Sequence, residues 1–172
     1  MDLINIYDAA HYNLKTVEKA LRKCSDSVWD EISMKLLSDD FISTFKNKLN
    51  WTLVCRYNQL DEPFIEDHKE FVDWETISHF QNLSELFIAT YKDVLDWKLI
   101  SRYQNLSEDF IREFQHLVDW TNISSYKDLS AKFIQEFHDV LDWPSMCIHQ
   151  RLPEHIIRQF SYRVDWNLIS EY

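Results

Sequence analysis

The chain has 172 residues, 45% of them apolar and 15% aromatic, with 29 acidic against 18 basic side chains and a net charge of −11. This apolar content is enough for a folded core and argues against disorder, whereas the acidity repels polyanions and speaks against nucleic acid or an anionic membrane as partner. Glycine is absent where ordinary usage of about 7% gives roughly a dozen, which excludes Walker loops, dinucleotide fingerprints and the usual nucleophile elbow together.

In chain order, residues 1–28 come first. They carry no basic region followed by a long apolar run, and no later stretch nears the ~20 apolar residues that span a bilayer, so a cytoplasmic protein without membrane contact is expected. Residues 8–21 are loosely similar to an ankyrin helix pair, with Asn13 where that family usually has glycine. Their expected role is a helical N-terminal cap over the first exposed apolar face of the chain beyond them.

From residue 29 onward tryptophan recurs at Trp29, Trp51, Trp74, Trp97, Trp120, Trp143 and Trp166, with one gap of 22 residues and then five of 23. Fixed-period self-similarity marks a solenoid, whose units bury their apolar faces by stacking on neighbours. The segment 97–119 shows the unit most clearly and divides into two short helices. The first starts at the cap Asp96 and is expected to end near Gln104, with Asn105 able to take a left-handed conformation in place of glycine. The second starts at Ser107, carries Glu108 and Asp109 in its first turn, and should run to about Gln115.

The same caps recur as Asp73, Asp96, Asp119, Asp142 and Asp165 for the first helix, and as Ser84, Ser107 and Ser130 for the second. Each is joined by a hydrophobic staple, such as Leu95 with Ile100 and Leu106 with Ile111. Apolar spacing follows the helical period and not the alternation of strands. Helices this short do not persist alone in water, so stacking must hold them. Ser78, Ser101 and Ser124 share one repeat position with Cys55 and Cys147, a small-residue site where neighbouring helices approach closely.

Departures are few. The first repeat is one residue short, Asn50 replaces the aspartate cap, and Asp61 and Pro153 replace the serine. Pro63, Pro144 and Pro153 fall at helix starts, where a missing amide donor is tolerated. Residues 29–172 thus make six repeats plus a C-terminal half repeat, which serves as a lid or as an edge that pairs with another chain.

Candidate chemistry is thin. The aspartate column reads as helix caps, because stacked helices lie ~8–10 Å apart while a calcium ion needs oxygens at ~2.3–2.6 Å. Recurrence at one stapled position makes the seven tryptophans core residues and not a stacking platform for bases. Lys98, Arg102, Arg112, Lys127 and Lys132 are the candidates for a local basic patch. The seven histidines keep no fixed place in the repeat, and three widely spaced cysteines form no disulfide framework or zinc knuckle. No catalytic, cofactor or metal residues are expected.

The alternating signatures DWxxIS, as in Asp96-Trp97-Lys98-Leu99-Ile100-Ser101, and LSExFI, as in Leu106-Ser107-Glu108-Asp109-Phe110-Ile111, resemble uncharacterised tandem repeats encoded by giant DNA viruses, over residues 29–172. The resemblance implies a protein acting inside an infected host cell, and supplies no activity or functional residues. The expectation is an all-α solenoid of short antiparallel helix pairs with a 23-residue repeat, acting as a non-enzymatic scaffold or adaptor for a protein partner. Self-assembly through the C-terminal half repeat is the alternative, and nucleic-acid binding ranks below both.

Overall fold

A computed structural model describes Lys19, Leu21 and residues 23–169. The ankyrin-like stretch, apart from Lys19 and Leu21, and the last three residues lie outside the described residues. The described residues are all-helical: α1 Asp26–Ser33, α2 Asp39–Phe45, α3 Trp51–Tyr57, α4 Glu62–Asp67, α5 Trp74–Phe80, α6 Glu85–Thr90, α7 Trp97–Tyr103, α8 Glu108–Glu113, α9 Trp120–Tyr126, α10 Ala131–Phe137, α11 Trp143–His149, α12 Glu154–Gln159 and α13 Trp166–Ile169. Helices led by tryptophan recur every 23 residues from α3 onward, the repeat read from the sequence. The chain divides into two compact units, one ending at Leu83 and the other beginning at Ser84.

Within each unit like helices stack on like. In the first, α1 packs on α3 and α3 on α5; in the second, α7, α9, α11 and α13 follow one another, and α10 packs on α12. The deepest positions are, in each unit, two rows of aliphatic side chains, with methionine at one place. Ile32, Val54 and Ile77 in the first unit, and Ile100, Ile123 and Met146 in the second, are fully buried in the tryptophan-led helices. Ile42 and Ile65, then Ile88, Ile111 and Ile134, are their counterparts in the second helices. Each such side chain contributes about 1.5–3 kcal/mol, which offsets the nucleation cost of a helix too short to form alone.

The small-residue position does more than make room. Ser101 Oγ donates to the Trp97 carbonyl at 2.6 Å and accepts the backbone N–H of Asp119 at 2.8 Å. Ser124 accepts the Asp142 amide at 2.9 Å, and Ser33 both donates to Trp29 O at 2.7 Å and accepts the Asn50 amide at 2.9 Å. Where cysteine replaces serine, the Asp73 amide meets the Cys55 sulfur and the Asp165 amide meets Cys147. One hydroxyl thus closes its own helix and fastens the cap residue of the next repeat.

Ser101→Ala removes that acceptor and strands the Asp119 amide, for a loss of about 1–3 kcal/mol. Ser101→Cys, which copies Cys55, should lose less. Urea denaturation of both variants measures the difference, and equal midpoints for wild type and Ser101→Ala would show the hydroxyl to be dispensable.

Candidate interaction surface

Most of the expected caps do cap. Asp96 Oδ1 accepts the Lys98 and Leu99 amides at 2.9 and 3.0 Å, Asp119 Oδ1 that of Asn122 at 2.8 Å, and Asp165 Oδ1 that of Asn167 at 3.0 Å. Ser84, Ser107 and Ser130 accept from Phe87, Phe110 and Phe133 at 3.1, 3.1 and 3.2 Å. Asp73 accepts the Glu75 and Thr76 amides at 3.2 and 3.4 Å and the Thr52 hydroxyl at 2.6 Å. Partial burial works against its charge, but these hydrogen bonds outweigh it and hold the carboxyl below its ordinary range. Asp142 departs from the expectation and makes no cap to the backbone. Pro144 removes the amide two residues on, so the carboxylate takes the Ser145 hydroxyl instead, at 2.7 Å.

The seven tryptophans are not uniformly core residues. Trp29, Trp51 and Trp143 are buried, Trp74, Trp97 and Trp120 are half-buried, and Trp166 is exposed. Trp51, Trp97, Trp120 and Trp143 donate Nε1–H to the carbonyl five residues earlier, Lys46, Lys92, Gln115 and His138, at 2.8 to 3.2 Å. Trp97 packs on Phe114 at 5.4 Å and Trp120 on Phe137 at 5.2 Å. The indole therefore ties the two helices of its own repeat together and pins the preceding loop. The same bond is made whether the ring is buried, as in Trp51 and Trp143, or half-buried, as in Trp97 and Trp120.

The left-handed conformation open to Asn105 is not adopted: no described residue has positive φ. The tryptophan-led helices switch straight to extended backbone at Asn58, Gln81, Gln104, Lys127 and Gln150, as at Gln104 with φ −85° and ψ 151°. Their open carbonyls are taken by the same position of the next repeat. Gln81 Nε2 donates to Cys55 O and Asn58 O at 2.6 and 2.8 Å, while its Oε1 accepts the Leu60 amide at 2.8 Å. Gln150 donates to Ser124 O at 2.5 Å, and Asn58 accepts the Leu37 amide at 2.7 Å. This amide column went unrecognised in the sequence, although asparagine or glutamine recurs at the 23-residue interval at Asn58, Gln81, Gln104 and Gln150, with Lys127 as the exception.

A third seam joins the second helices. Glu85 accepts the Ser107 amide at 2.5 Å, and Glu108 the Ser130 amide at 2.6 Å. The next such place would pair residue 131 with residue 153. Pro153 has no amide to offer, and Ala131 stands where the glutamate would be.

Among the titratable groups, burial pushes the Cys55 thiol up to about 11 and raises that of Cys147, so both stay protonated and unreactive. Among the described residues no group of three His, Cys, Asp or Glu side chains comes together as a metal site. Of the basic candidates, Arg112 is bound to Glu136 and Asp109, at 2.9 and 2.6 Å, and to Glu108 at 3.5 Å. Lys127 sits in the amide column, with Nζ 2.5 Å from Gln104 O and 3.4 Å from Arg102 O.

What these structural roles leave over, in each unit, are exposed rings at the ends of the tryptophan-led helices. Tyr57 and Phe80 in the first unit, and Tyr103 and Tyr126 in the second, are 43–48% exposed. Arginines lie across them: Arg56 over Tyr57 and Phe80 at 5.7 and 5.2 Å, Arg102 over Tyr103 and Tyr126 at 5.2 and 4.7 Å. A cleft of about 530 Å³ lies beside α11, lined in part by Ile148, His149, Gln150 and Arg151. No helix among the described residues is long and apolar enough to cross a membrane. Comparison with family models, curated proteins and solved structures yields no match.

Lys127 provides a pH test. Burial pushes its ammonium down to about 8 from 10.5, so between those values the unfolded chain holds a proton that the folded one has released, and stability rises with pH across that window. Lys127→Gln restores the neutral amide of the other repeats and an acceptor for the Leu106 amide. Since the ammonium is partly solvated, the gain at pH 7 is on the order of 1 kcal/mol, or ~2–4 °C in Tm for a chain of this size. Thermal melts should show that increase and a flattened profile from pH 8 to 10.5; a lower Tm would mean that the lysine supports the junction.

Proposed function

We propose that the protein is a non-enzymatic helical-repeat scaffold or adaptor whose ligand is another protein. The observation that carries this reading is the pair of exposed aromatic rings that each unit presents at one repeat position, Tyr57 and Phe80 in the first and Tyr103 and Tyr126 in the second. Regularly repeated exposed positions give a solenoid an extended binding face, and aromatic and arginine side chains are the types enriched at protein interfaces. The similarity of the DWxxIS and LSExFI motifs to repeats of giant DNA viruses supports action inside an infected cell.

Self-assembly is the rival reading, supported by Trp166, which is 57% exposed on α13. Light-scattering mass over a wide concentration range separates the two. A constant monomer mass is expected, and mass that climbs to ordered oligomers would overturn the adaptor reading.

A further inference from the structure

We infer that the C-terminal ends of α7, α9 and α11 form a docking strip for an acidic peptide in polyproline II conformation, with Arg102 as its carboxylate anchor. The inference rests on the adaptor reading and names the chemistry of the partner.

Arg102 is the reason. Its guanidinium lies over the rings of both Tyr103 and Tyr126, at 5.2 and 4.7 Å, and Tyr126 in turn stacks on His149 with ring centres 6.0 Å apart and planes 23° from parallel. Arginine packed on aromatic rings is held by cation–π attraction, and Arg102 is exposed with its in-plane N–H donors free of any carboxylate among the described residues. Those donors match a carboxylate with two parallel hydrogen bonds. Arg112, Arg158 and Arg163 each have an acidic partner within the protein, whereas none pairs with Arg102 among the described residues. In a chain with 29 acidic side chains, an arginine fixed in place and left without a carboxylate is prepared for one from outside, and its prior immobilisation lowers the entropy cost of binding.

Charge and spacing complete the assignment. The three segments 101–105, 124–128 and 147–151 contain Arg102, Lys127 and Arg151 against Asp128 alone, a local reversal of the overall sign. The rest of the acidic surface is screened beyond ~8 Å at physiological salt, so the local cations decide. Successive packed helices are ~8–10 Å apart, and a polyproline II strand turns once in three residues, about 9.3 Å. Every third side chain of such a peptide therefore meets the same position of the next repeat. The exposed rings and Ile148, 43% exposed, supply the apolar part of the contact.

The test is fluorescence anisotropy with three labelled probes: three copies of Glu-Pro-Leu, three copies of Lys-Pro-Leu, and an oligothymidine of equal length. The acidic peptide should bind tightest, weaken at least about tenfold with Arg102→Gln or Tyr126→Ala, and be unchanged by Arg158→Gln, with circular dichroism confirming that each variant stays helical. Loss of helicity in Tyr126→Ala leaves the decision to Arg102→Gln. Binding of the basic peptide as well as or better than the acidic one overturns the carboxylate assignment while the adaptor reading stands. Preferred binding of oligothymidine, equal affinity in Arg102→Gln, or binding of no probe overturns the strip itself; the adaptor reading is judged separately by the light-scattering mass.

Discussion

A helix of seven residues is almost all ends. Four amides at its start and four carbonyls at its finish have no partner inside it, so a chain built from such helices must find outside acceptors and donors for nearly every backbone group. Leaving them buried and unpaired costs about 1–3 kcal/mol each, so that two such groups cancel what the repeat gains from one isoleucine. The three polar seams answer this constraint. Serine or cysteine takes the amide of the next cap residue, the amide column takes the carbonyls of the previous helix, and glutamate takes the amide of the next serine cap.

The missing glycine follows from the same arrangement. A helix usually needs a left-handed residue at its end to fold its last carbonyls back on themselves. Here Gln81 reaches back to Cys55 O and Asn58 O, so the chain leaves the helix in extended form and any residue with an ordinary side chain serves. Local termination is exchanged for termination by the neighbour. Each repeat then folds only with the next one present, which couples short, individually unstable helices into a stack.

Much of this was legible in the sequence, because period and capping are local signals. The repeat length, the helix pair and the cap residues Asp96, Asp119, Ser107 and Ser130 follow from spacing and from what a helix start requires. Roles that depend on a partner one repeat away were hidden. Gln104 read as the end of a helix and Ser101 as a small side chain, since nothing in a single unit shows which backbone group lies opposite. Tryptophan misled in a more physical way. Size and periodicity suggested burial throughout, but Trp97 and Trp120 are half-buried while Trp51 and Trp143, with the same Nε1–H bond to the carbonyl five residues earlier, are buried. Asp142 lost its cap to a single neighbour, Pro144.

The division of labour between hydrogen-bonded seams and exposed rings also explains where variation is tolerated. Positions in the seams accept only substitutions that keep a donor or acceptor, as cysteine does for serine, or that change on both sides together, as Ala131 and Pro153 do. Amide hydrogen exchange at Asp119 and Asp142 tests the seams most directly, because both residues precede their helices and have no helical acceptor of their own. Protection equal to that of amides inside α9 and α11 is the expected result. Exchange as fast as in an unfolded chain would contradict the stitching of one repeat to the next.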